Sequence, residues 1–102
     1  MGYYIYDQDG YVDEIGNSAT LELLYTLRSF DEVFAEFFNT GSTERIDDLL
    51  QAIADLDMSK FDKPTRKSIK ILEEILERTV GIAIITDGCG FMPPGMTEED
   101  YR

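Results

Sequence analysis

Three groups of residues in this chain have types and spacings that could do chemistry. They are the run Asp7-Gln8-Asp9-Gly10, the lone cysteine Cys89 between two glycines, and a set of adjacent carboxylates. The first suggests a calcium loop, but the spacing fails. With Gly10 as the sixth loop residue, the first ligand position falls on Ile5. The twelfth, where a bidentate acid is required, falls on Gly16. The run reads as a turn. Cys89 needs a base or a positive environment to become thiolate. The chain has no histidine, and the nearest charge, Asp87, opposes ionisation. Cys89 reads as a small apolar residue at a strand end. The carboxylate pairs are Asp13/Glu14, Asp31/Glu32, Asp47/Asp48 and Glu73/Glu74. Glycosidase-type work needs two acids facing one cleft, one of them in an apolar pocket. Adjacent helical residues point about 100° apart, so neighbours in sequence need not share a site. One cysteine and no histidine leave no ligand set for structural zinc or other transition metals. Gly88-Cys89-Gly90 lacks the spacing and the following lysine of a phosphate loop. No catalytic residue, cofactor or metal is expected.

Charge is the stronger signal. Twenty-one acids against nine bases give a formal net charge of -12 in 102 residues. Such a body repels nucleic acid and membrane surfaces and attracts basic ones. The acids form rows. Glu44, Asp48 and Asp55 stand at i, i+4 and i+11 of one expected helix, and Glu32 and Glu36 at i and i+4 of another. Rows of this kind are commonly solvated faces, and they can also imitate a phosphate backbone. Tyr3, Tyr4, Tyr6 and Tyr11 form the densest aromatic group, and tyrosine is a favoured interface anchor. The candidate partner-binding set is therefore Glu32, Glu36, Glu44, Asp48 and Asp55 with Tyr3 and Tyr11.

The bases are concentrated in one segment. Lys63, Arg66, Lys67 and Lys70 fill the first half of an expected fourth helix, and Glu73, Glu74 and Glu77 the second. The helix dipole prefers the reverse, by about 0.3–1 kcal/mol per charge. An acidic neighbouring surface, in the same chain or a second copy, is the expected compensation.

The elements that must position these residues follow from periodicity and turn chemistry. Tyr3–Tyr6 and Tyr11–Ile15 flank Asp9-Gly10 and predict a hairpin. A two-residue turn there pairs Gln8 with Tyr11 and Tyr6 with Asp13. A helix over about 18–28, capped at Asn17 or Ser18, carries Leu21, Leu23, Leu24, Tyr25 and Leu27 around much of its circumference, the pattern of a central, buried helix. Ser29 and Glu32 have capping-box spacing and predict a helix over about 30–39. Its stripe is Phe30, Val33, Phe34, Phe37 and Phe38, with Gly41 as its stop. Ser42 caps a helix over about 43–56. Asp62 or Ser59 caps the last, with Pro64 in its first turn and Ile69, Leu72, Ile75, Leu76 and Val80 inward. Ile82–Thr86 is short, β-branched and strand-like.

The expected fold is α+β: a small antiparallel sheet, from the N-terminal hairpin and one C-terminal strand, packed on about four helices. Residues 1–91 are expected to form one compact domain, and residues 92–102 an irregular acidic tail. The start of the chain lacks a basic region followed by an apolar run, so no signal peptide is expected. Val80–Ile85 is far too short to span a membrane. The single cysteine suits a reducing, cytoplasmic location. The expected function is that of a small acidic non-enzymatic protein occupying a basic surface of another protein. Inhibitors, immunity proteins and nucleic-acid mimics act this way, and for a mimic the target would itself be a nucleic-acid-binding protein. The alternatives are a structural subunit, for instance of a homodimer, and a carboxylate-based hydrolase.

Overall fold

The computed structural model describes residues 2–86, so Cys89 and the expected tail lie outside the described residues. The elements run β1 (Gly2–Asp7), β2 (Gly10–Asn17), α1 (Ser18–Tyr25), α2 (Glu32–Thr40), β3 (Ser42–Thr43), α3 (Ile46–Ala54), α4 (Lys63–Glu77) and β4 (Ala83–Thr86). Short 3-10 turns cover Thr26–Ser29 and Met58–Lys60. The strands form one antiparallel sheet in the order β2-β1-β4-β3, with helices packed on it. The fold is α+β, as expected, with one strand more than expected. Gly41 adopts φ 84° at the end of α2 and turns the chain into β3. There Ser42 and Thr43 pair with Ile84 and Ala83.

The sheet separates two environments. Directly paired residues of neighbouring strands share a face. Ile5 opposite Ile85, and Thr43 opposite Ala83, point to the helices, and Ile5 and Ala83 are fully buried. They join one apolar cluster with Leu24, Phe34, Phe37, Leu49, Leu72 and Leu76. Tyr4, Tyr6, Ile84 and Ser42 alternate to the opposite face.

Four local expectations are corrected. The hairpin turn is Gln8-Asp9, so Tyr6 pairs with Tyr11 and Asp7 with Gly10. The Asp7 carboxylate accepts from the Asp9 amide at 2.8 Å and fixes the turn one residue earlier than Asp9-Gly10 suggested. Irregularities between Tyr3/Tyr4 and Ile5/Tyr6 then shift the register, setting Ile5 against Asp13. Second, α2 is capped by Asp31, whose side chain accepts from the Val33 amide at 3.1 Å. Ser29 instead donates to the Thr26 carbonyl within the 3-10 turn. Phe30 therefore precedes the helix, lies 48% exposed, and rests against Phe61 at 5.2 Å. Third, Ser42 is a strand residue, and α3 starts after Arg45 with no side-chain cap. Fourth, α4 ends at Glu77, so Val80 leaves the core face and is 48% exposed. The cap at Asp62 stands as expected, accepting from the Thr65 amide at 3.1 Å. The cap expected at Asn17 or Ser18 falls on side chains outside the described set.

Candidate functional site

The hairpin is held at its turn by a buried acid. Asp7 is 5% exposed, and its two oxygens accept from the Asp9 amide (2.8 Å) and the Val80 amide (2.9 Å). The Gln8 amide returns a bond to the Val80 carbonyl at 3.2 Å. The turn is thus clamped to the α4–β4 connection. With both oxygens facing amide donors, this carboxylate is an internal acceptor rather than a cation ligand. Among the described residues no three His, Cys, Asp or Glu side chains are grouped to hold a metal, and Asp7 is the one buried acid.

That clamp positions an aromatic cluster on the outer face of the sheet. The Tyr11 ring lies 5.7 Å from Tyr6 in an edge-on arrangement and 6.3 Å from Tyr4 at 56°. Tyr11 is 58% exposed, the most exposed of the large apolar side chains described. Desolvation raises its phenol above the usual tyrosine range, and the negative charges of Asp13 and Glu14 push it further. Glu14, opposite Tyr4, is exposed on the same face. Asp13 turns the other way to the Arg78 guanidinium at 2.6 Å, and that hydrogen bond holds its carboxyl below the ordinary aspartate value. The result is an aromatic patch of two half-buried rings and one exposed ring, bordered by Glu14. Edge-on rings of this kind add about 0.5–1.5 kcal/mol of mutual contact and hold one another rigid.

The acid rows occupy a second surface. All five acids named from the sequence are exposed. Arg45 draws Asp48 (2.9 Å) and Glu32 (3.6 Å) together across α2 and α3. Glu36 accepts from the Thr43 hydroxyl at 2.7 Å, beside them. Asp55 accepts from the Gln51 amide at 3.1 Å, one helix end away. Glu44 precedes α3 and Asp55 is its C-cap, so the row expected for Glu44, Asp48 and Asp55 along one helix is not formed: α3 starts only at Ile46, because Ser42 and Thr43 are drawn into the sheet. Three of the five acids therefore gather around one arginine, and that cation offsets part of their charge.

Of the two tyrosines named from the sequence, Tyr11 is at the centre of the patch. Tyr3 is half-buried and packs against the core from the inner face. Tyr4, Tyr6 and Glu14 are the patch residues that sequence reasoning left out of the set. The missing signal was the register, because a one-residue slip in a strand exchanges its two faces. Comparison with protein families, with curated proteins and with solved structures finds no significant match.

Proposed function

We propose that this protein is a non-enzymatic binding protein that presents its acidic, tyrosine-bearing hairpin face to a basic surface of another protein. The observation that carries the reading is the Tyr4–Tyr6–Tyr11 cluster, whose central ring is mostly exposed and bordered by Glu14. Tyrosine supplies a large, rigid contact with a polar tip, and such residues dominate binding energy at many interfaces. The net charge of -12 supplies long-range attraction, which accelerates encounter with a cationic partner. Glu32, Glu36, Glu44, Asp48 and Asp55 extend that field and act chiefly on the rate of association. A nucleic-acid-binding protein is the natural class of target, since its working surface is basic.

The test is affinity capture from source-cell lysate with the wild-type chain and with a Tyr11→Ala/Glu14→Lys variant, read by quantitative mass spectrometry. A basic protein retained by the wild type, lost from the variant and released by salt supports the reading. An identical, salt-insensitive set on both baits refutes it.

The position of β2 favours a second reading, as a self-assembling subunit. It is an eight-residue strand at the sheet edge, and edges of that length can pair with a second copy. Sedimentation equilibrium separates the two readings: a dimer that Tyr11→Ala leaves intact selects the edge.

A further inference from the structure

The described residues also enclose a groove of about 750 Å³ between the end of α3 and the first half of α4. Its floor is apolar, from Ile53, Leu56 and Met58 with Ile69 on the α4 side. Its edge is Lys63, Lys67 and Lys70, and Glu73 closes one end. None of these three lysines has an ion-pair partner among the described residues, although the protein carries 21 acids. Arg66, also at the groove, spends one guanidinium nitrogen on the Phe61 carbonyl at 2.8 Å.

The arrangement of the cations identifies the occupant. Lys63, Lys67 and Lys70 stand at i, i+4 and i+7, so they form a row about 10 Å long at 1.5 Å per residue. A single anionic head group would need the three to converge. A row instead matches carboxylates repeated every three or four residues along a chain, which is the spacing of one face of a helix. The apolar floor beside it matches an adjacent apolar stripe on the same helix.

We propose that this groove docks an acidic amphipathic helix of a partner protein, with its apolar stripe on Ile53, Leu56 and Met58 and its carboxylates along Lys63, Lys67 and Lys70. The site is independent of the tyrosine patch and opposite to it in charge. The mode is that of a helix in a groove, where anchors at i, i+3, i+4 and i+7 carry recognition. Near physiological salt, charges beyond about 8 Å are screened. The remote acids of this chain then contribute little, and the lysines in contact decide the outcome.

The probe is a fluorescein-labelled helical peptide of about fourteen residues with leucines along one stripe and glutamates four apart beside it. The control is a scrambled peptide of equal composition. Binding is read by anisotropy near 150 mM salt, and the site by amide chemical shifts. The expected result is saturable binding with shifts confined to residues 53–58 and 63–73. Scrambling and the double variant Lys67→Glu/Lys70→Glu should each weaken it about tenfold or more. Both lysines are exposed, so the variant folds, as circular dichroism will check. Equal binding of the two peptides, shifts elsewhere, or no saturable binding overturns the proposal. Phosphatidylserine vesicles that bind through the same lysines while the peptide does not would assign the groove to a lipid surface and overturn it too. Self-association abolished by the double variant, without peptide binding, would assign the groove to a second copy and overturn it as well.

Discussion

Replacing Asp7 by alanine should loosen the hairpin and with it the tyrosine patch. The carboxylate is 5% exposed and accepts two amides, from Asp9 at 2.8 Å and Val80 at 2.9 Å. A hydrogen bond to a charged group contributes about 1.5–3 kcal/mol. The Asp9 amide sits in an exposed turn and regains water when the acceptor goes. The Val80 amide is partly buried, 73 residues away in sequence, and loses its acceptor less cheaply. The expected cost of Asp7→Ala is therefore about 2–4 kcal/mol, below the sum of two full bonds. Asp7→Asn keeps one carbonyl oxygen and should cost about half as much, since one of the two amides is left facing an NH2 group. Each kcal/mol lowers the melting midpoint of a domain this size by about 4–8 °C. Urea denaturation followed by circular dichroism gives the stability, and hydrogen exchange at Val80 localises it. A change under about 1 kcal/mol for Asp7→Ala, or Asn as costly as Ala, would refute the clamp.

Four further outcomes are expected. Phe37→Ala should cost about 3–5 kcal/mol in denaturant titrations, because its ring is fully buried in the core. Lys63→Glu should raise stability by about 0.3–1 kcal/mol, since α4 has no acid in its first turn and Lys63 opposes the dipole there; calorimetry would show the midpoint rising by a few degrees. Gly81→Ala should destabilise by about 1–2 kcal/mol, because Gly81 sits at φ 79° with the Gln8 side chain where a Cβ would stand, and urea midpoints will measure it. The Asp13 carboxyl should titrate by NMR below the ordinary aspartate value, and Arg78→Ala should return it upward. Because the folded value is the depressed one, the pair contributes above the ordinary value and its contribution is lost as pH falls through the folded value. Both groups are about half exposed, so solvent screening keeps that contribution under about 1 kcal/mol.

The elements were legible where periodicity was long and turn chemistry unambiguous. The stripe of Val33, Phe34, Phe37 and Phe38 and the stop at Gly41 lie where their spacing put them. Errors arose where two residues competed for one role. Ser29 and Asp31 both have cap chemistry, and Asp31 takes the cap because the Ser29 hydroxyl is used by the preceding 3-10 turn. At the hairpin, Asp9-Gly10 offered one turn and the Asp7 side chain selected another. The deciding partner of Asp7 is Val80, which no local pattern could reveal. The same slip hid the patch: Tyr6 against Tyr11, rather than against Asp13, puts their rings together.

The charges of α4 show how a sequence anomaly gains meaning from structure. In the sequence, lysines at the wrong end of a helix dipole were expected to be compensated by acids nearby. The ion pairs among the described residues form elsewhere. Glu32 and Asp48 are drawn to Arg45, and Asp13 to Arg78. Lys63, Lys67 and Lys70 remain along the edge of an apolar groove. A folded chain with so many carboxylates could pair three exposed lysines at little cost, yet each pair would add only about 0–1 kcal/mol. Stability alone therefore exerts little pressure to pair them, and explains neither their alignment nor the apolar floor beside them. Local rules are commonly broken where a surface must stay open for something else. Docking of an acidic helix accounts for the alignment and the floor together. It also carries a consequence for the free protein: Lys63→Glu, which should raise its stability, should weaken the peptide complex.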